Sequence, residues 1–176
     1  MVDVDYKFIY VDVGCQGRIG DAGVYFNSTL CTALVSNSLN IPQPELIPGN
    51  NVPFPYVFGA DEAFPLKTFI MKPFARRGLI QMERIFNYRL SRARRIVENA
   101  FGILASRFRV FRGPTMMGTA TAEKVVLAAT VPHTFMRHHF GEREAFVASA
   151  DFEDQEGGEM IPGEWRSDGS SRGSST

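Results

Sequence analysis

The sequence predicts an α/β domain, and three stretches carry that expectation. Residues 6–13 (Tyr-Lys-Phe-Ile-Tyr-Val-Asp-Val) are rich in β-branched and aromatic side chains and predict a strand. Residues 52–60 predict a second strand, which ends at the acid Asp61. Between 79 and 108, Phe86, Leu90, Ala93, Val97, Ala100, Phe101, Leu104 and Phe108 recur at three- and four-residue steps. That spacing predicts a long amphipathic helix whose apolar stripe packs on the sheet.

The remaining elements follow in order. Residues 14–20 form a glycine-punctuated turn, after which Asp21 is placed to cap a helix over 22–39. Residues 41–55 are proline-rich, with Gly49, Asn50 and Asn51, and predict a loop. Phe64-Pro65-Leu66 turns the chain, and Pro73 separates a short segment from the long helix. Residues 120–139 predict a further helix, with a kink or early end at Pro132, which lacks a backbone donor. Beyond 141 the composition turns acidic, then Gly/Ser-rich. The expected organisation is thus one domain over 1–140 and a disordered tail over 141–176.

At 176 residues the chain is long enough for a real core, and fifteen Phe supply large side chains for it. No apolar run reaches bilayer-spanning length, so no membrane partner is expected. The start, Met-Val-Asp-Val-Asp, lacks the basic and apolar regions of a signal peptide. Cys15 and Cys31, with no Cys-x-x-Cys pattern, read as buried free thiols of a reducing compartment.

A net charge of zero conceals a division. From Lys72 to Arg112 eleven basic side chains face two acidic ones, leaving about +9. From Glu142 to Asp168 nine acidic side chains face two basic ones, leaving about −7. The basic stretch suits a polyanion, and overall neutrality does not exclude nucleic acid.

Two acids stand out. Asp61 at a strand end and Glu98 on an arginine-rich helix can together offer hard oxygen donors to Mg²⁺ or Mn²⁺. Each has a plain alternative: Asp61 as a turn cap, Glu98 in a surface ion pair with Arg94 or Arg95. Glu62 is a substitute ligand, and Gly102 would leave the helix flank open to a substrate. Arg89, Arg92, Arg94 and Arg95 cannot share one face; guanidinium forks suit phosphate, and the remainder serve solubility or internal pairs. Gly14, Gly17, Gly20 and Gly23 match neither G-x-G-x-x-G nor a Walker loop. His133, His138 and His139 lack metal-ligand spacing, and His133 reads as a core or helix-end residue.

Ordered blocks of the chain resemble Harbinger-type transposases and the nucleases derived from them, of the DDE superfamily. The matching residues are Phe8-Ile-Tyr-Val-Asp-Val-Gly-Cys-Gln-Gly-Arg-Ile-Gly-Asp21, Phe26-Asn-Ser28, Leu46-Ile-Pro-Gly49, Pro55-Tyr-Val-Phe-Gly-Ala-Asp61-Glu-Ala-Phe-Pro-Leu66 and Lys72-Pro-Phe74. The longest block runs from Phe86-Asn-Tyr through Glu98-Asn-Ala-Phe-Gly102 to Phe108, and the similarity covers roughly residues 5–140.

The resemblance implies an RNase H-like mixed sheet with flanking helices and two divalent metals held by three carboxylates. Position by position, Asp61 matches the second catalytic, metal-binding acid and Glu98 the third, while Asp21 matches a recurrent acid outside the three. It further implies a DNA substrate, a separate Myb-like DNA-binding protein as partner, and nuclear residence. The family's first acid lies on a strand upstream of the segment matching residues 4–13, and Asp3, Asp5 and Asp12 do not stand in its place. The opening strands are therefore expected to be missing and the copy N-terminally truncated. Pro132-His133-Thr134 stands where Leu-His-Asn is common, and Ala105 where Lys is frequent. Two function classes follow: a metal-dependent DNA endonuclease domain, inactive or nearly so in this form, and a noncatalytic DNA- or partner-binding remnant.

Overall fold

Element formation is strongest where capping and apolar periodicity agree, and helix α3 (Gln81–Arg107) has both. Gly78, at φ +71, turns the chain, and Glu83 in the first turn accepts the backbone N–H of Ile80 at 3.0 Å. That bond satisfies one of the donors a helix start leaves orphaned. A computed structural model of the chain describes residues 1–15, 18–114, 116–140, 152–153 and 160–163. The chain divides into two compact units, Cys15–Arg94 and Met1–Gly14 with Arg95–Thr176.

In the unit Cys15–Arg94, the helix expected over 22–39 is two helices, α1 (Asp21–Asn27) and α2 (Thr29–Val35). Ser28 causes the break. Its backbone is extended, its Oγ accepts the Cys31 N–H at 3.1 Å, and its hydroxyl donates to the Tyr25 carbonyl at 2.6 Å. A short hydroxyl side chain thus offers the backbone a cap in place of a continued helix. Asp21 is not the cap: Gly20 is, without a side-chain bond, and Asp21 sits in the first turn, where its charge favours the helix dipole.

Tyr25, Cys31 and Leu34 from these helices bury with Ile70, and Phe58, Phe64 and Phe69 pack around them. Ile70 is 2% exposed, so its burial contributes about 1.5–3 kcal/mol. Burial, with Cys31 alongside, pushes the Tyr25 hydroxyl up to about 12. Cys31 is the buried thiol; Cys15, also free, is exposed, which corrects the expectation for that residue.

The expected loop over 41–55 holds strand β1 (Glu45–Leu46), paired antiparallel with β2 (Pro53–Phe54). The single strand expected over 52–60 is divided, because Pro55 has no N–H to continue a ladder. Its second part, β3 (Phe58–Gly59), runs parallel to β4 (Ile70–Met71), with Phe58 opposite Ile70 and Gly59 opposite Met71. The Phe58 and Ala60 amides donate to the Phe69 and Met71 carbonyls at 2.9 and 2.8 Å, which carries the chain directly to Asp61. A Cβ on Gly59 would lie 3.1 Å from Leu90 of α3, so glycine lets helix and strand approach closely.

In the other unit, the strand expected over 6–13 gives way to a turn. Asp3 Oδ1 accepts the N–H groups of Asp5 and Lys7, both at 2.9 Å, and Tyr6 takes φ +62. Among the described residues, its pairing is an isolated antiparallel bridge, Val2 to Phe8. Helix α4 (Thr119–Phe140) holds this segment in place. His133, 1% exposed, has Nε2 2.8 Å from the Tyr6 carbonyl; Arg137 Nε donates to the Asp5 carbonyl at 2.8 Å; Thr134 Oγ1 accepts the Phe8 N–H at 3.2 Å.

These bonds lie in the turns around and after Pro132, and the helix continues to Phe140 rather than ending early. The carbonyl of Ala128, four residues before the proline, belongs to an exposed residue and can turn to water. The buried side of α3 here is Asn99, Ala100, Gly102, Ile103 and Leu104, whereas Phe101 of the expected stripe is 53% exposed, its ring 5.4 Å from that of Phe8. A 3₁₀ turn, Arg109–Phe111, follows α3, and Arg112 donates to the Ala105 and Ser106 carbonyls at the helix end.

Of the expected tail, β5 (Phe152–Glu153) pairs antiparallel with β6 (Met160–Ile161); the other residues of 141–176, except 162–163, lie outside the described residues. The α/β expectation holds in its coarse form, as four α-helices and three two-stranded pairs among the described residues, one parallel and two antiparallel. Among the described residues no helix is long and apolar enough to cross a membrane.

Candidate functional site

Strand β3 ends one residue before Ala60 and delivers Asp61 to the rim of a cavity of ≈ 460 Å³. The same cavity is lined by Glu62, Arg76, Asn87, Ser91 and Arg94, with Ala63, Pro73 and Phe74 completing its wall. Asn87, Ser91 and Arg94 stand at i, i+4 and i+7 of α3 and so share one helix face.

The carboxylate of Asp61 has two partners. Oδ1 accepts the Ala63 N–H at 2.9 Å, the turn-capping role expected as its plain alternative. Oδ2 lies 3.9 Å from Arg94 Nη2, with both side chains partly exposed. At that distance and exposure the pair is weak, worth about 1 kcal/mol or less. Glu62 is exposed, and its carbonyl accepts from Lys72 Nζ at 3.3 Å.

Asn87 fixes the wall. The Phe74 N–H donates to Asn87 Oδ1 at 2.8 Å and Asn87 Nδ2 donates to the Phe74 carbonyl at 3.0 Å, as a strand neighbour would. The Phe74 ring meets Phe86 edge-on at 5.3 Å. Neither Asn87, Ser91 nor Arg76 is singled out by the sequence. The signal was a poor helix former, Asn, one turn before Ser and two before Arg in an otherwise strong helical pattern.

The other candidate residues distribute as follows. Arg89 is exposed; Arg92 stacks over the Tyr88 ring at 5.9 Å; Arg94 turns to the cavity; Arg95 is half-buried. Arg84 donates to the Leu79 carbonyl and Arg112 to the end of α3, so part of the basic stretch serves the helix itself. Asp61 belongs to one unit and Glu98 to the other. Glu98 is exposed and makes no ion pair among the described residues, so the expected surface pair with Arg94 or Arg95 is not formed. Gly102 is buried rather than open to a substrate, which corrects that expectation. Asp3 and Asp5 both pair with Lys7, at 3.3 and 3.0 Å, and Asp12 accepts from the Tyr10 hydroxyl. Among the described residues no group of three His, Cys, Asp or Glu side chains is gathered as a metal centre would need.

Comparison with curated proteins and with solved structures finds no match. The family model described as DDE superfamily endonuclease matches residues 1–133, about three-quarters of the chain, and the chain therefore belongs to that family.

Proposed function

We propose that the chain is a transposase-derived nuclease domain of Harbinger type and RNase H-like ancestry, which engages the DNA backbone through its arginines. The family points to a nuclease and to DNA as substrate. The observation that carries the reading within the chain is the cavity, which Asp61 lines together with Arg76 and Arg94, two arginines of the stretch of about +9 charge. Guanidinium groups so placed can hold phosphodiester oxygens and set affinity without reading sequence.

DDE superfamily endonucleases generally use divalent metals, which in this chain would be Mg²⁺ or Mn²⁺ held by Asp61 and Glu98. The donors around Asp61 do not by themselves fit such a centre. One carboxylate oxygen is engaged by a backbone amide, and the other faces a guanidinium. Two-metal hydrolysis requires further carboxylates at that point. The polypeptide on its own is therefore read as binding DNA without appreciable cutting. DNA in the nucleus is the expected target, and a separate Myb-like protein would supply sequence recognition.

The test is supercoiled plasmid incubated with the chain in Mg²⁺ or Mn²⁺. Retarded but un-nicked plasmid is expected. Nicking that disappears in Glu98→Ala would overturn the noncatalytic part and assign Glu98 to catalysis.

A further inference from the structure

We infer that Asn87 is a positioning residue: it docks the 73–77 segment on α3 so that Arg76 and Arg94 face one cavity and bind one stretch of phosphodiester backbone. The inference rests on the DNA-binding reading above and deepens it by giving Asn87, which has no part there, the role of holding that site together.

The argument begins with the chain around Phe74. Pro73 precedes it, and Arg76, Arg77 and Gly78 follow, with no helix or strand in the interval. A segment of this kind has no ladder to fix it. Asn87 supplies one, since its carboxamide pairs with both the N–H and the carbonyl of Phe74, at 2.8 and 3.0 Å. A primary amide has the donor–acceptor geometry of a peptide group, so this side chain mimics a neighbouring strand. The edge-on contact of Phe74 with Phe86, one residue before Asn87, adds an apolar hold beside the polar one.

The consequence is on the cavity wall. Arg76 comes from the docked segment and Arg94 from the same face of α3 as Asn87, two turns on. Arg94 is tethered loosely to Asp61 at 3.9 Å, while Arg76 is exposed and makes no ion pair among the described residues. Released from Asn87, the segment would carry Arg76 away from the cavity, leaving Arg94 alone there. Ala or Leu at 87 favours the helix more than Asn does, so either substitution unties the segment without weakening α3.

The experiment is a double-mutant cycle read by fluorescence anisotropy of a labelled duplex across a salt series. It compares the parent, Asn87→Leu, Arg76→Ala and the double variant, with Asn87→Ala as a second version and circular dichroism to establish folding. Losing one phosphate contact should weaken binding about tenfold and reduce the salt slope by about 1. Asn87→Leu is expected to reproduce the Arg76→Ala loss, and the double variant to be no weaker than either single one. With Arg89→Ala, by contrast, the losses of Asn87→Leu should multiply.

Site-resolved trypsin digestion of the folded chain provides a readout independent of DNA. Cleavage after Arg76 and Arg77 should quicken in both Asn87 variants. Multiplying losses for Asn87 and Arg76, or an unchanged tryptic rate, overturns the inference. A parent chain that binds no duplex at low salt refutes the DNA reading instead, and the tryptic rate then decides alone whether Asn87 docks the segment.

Discussion

Replacing His133 with Ala should remove one of the main fastenings of residues 1–14 to α4. The ring is 1% exposed, has Nε2 2.8 Å from the Tyr6 carbonyl, and meets the Phe8 ring in a tilted contact at 5.1 Å. Losing the hydrogen bond costs about 1 kcal/mol, the ring contact about another 1, and the cavity left behind a similar amount. A total of about 3 kcal/mol lowers the melting temperature by roughly 6–12 °C for a chain of this size.

The pH dependence follows from the same environment. Burial, and secondarily the charge of Arg137, holds the imidazole below its ordinary value of 6.5, against the opposing pull of the Tyr6 carbonyl. A group whose folded pKa is depressed binds fewer protons folded than unfolded, so stability rises with pH in the interval between the two values. The contribution of His133 is therefore complete above about 6.5 and falls away below it. Urea denaturation of parent and His133→Ala at half-unit steps from pH 5 to 8 checks both points. A variant within about 0.5 kcal/mol of the parent, or one with the same slope between pH 5 and 6.5, refutes the reasoning.

Other expectations concern single contacts. Ser28→Ala should cost about 1 kcal/mol in urea denaturation, since it removes the cap of α2 and leaves the Cys31 N–H without its acceptor. Gly14→Ala should destabilise by about 1 kcal/mol or more, because φ is +99 and the new Cβ would meet Glu123 Oε1 at 2.8 Å. Asp61→Asn keeps an oxygen for the Ala63 N–H and removes the charge facing Arg94. It should leave thermal stability within about 0.5 kcal/mol and tighten duplex binding, measured by anisotropy at fixed salt.

Local patterns were legible wherever backbone preference and packing agreed. α3 is legible to within a few residues because apolar side chains recur at three- and four-residue steps between 79 and 108, and the helix runs Gln81–Arg107. Asp61 was also legible as an acid at a strand end, and its turn-capping bond is present. Failures came where a side chain competes with the backbone. Ser28 divides a helix that propensity would continue, and Asp3, by accepting two amides, folds a β-rich sequence into a turn. At Pro132 the opposite occurred: long-range bonds from His133, Thr134 and Arg137 to residues 5–8 hold the helix after the proline. No local pattern announces such bonds, since their partners are more than 120 residues away. The cavity was legible in its acid and one arginine, Arg94, but not in Asn87, whose role depends on a backbone segment 13 residues earlier.

The central claim, that this DDE superfamily endonuclease domain holds the DNA backbone through the arginines of α3 and its cavity, is tested most directly by the salt dependence of duplex binding. Each arginine–phosphate contact contributes about −0.9 to the slope of log K against log salt, so Arg76 and Arg94 together give about −2 or steeper, and Arg94→Ala should reduce it by about 1. Binding that does not respond to salt, or a slope unchanged in Arg94→Ala, would contradict the account.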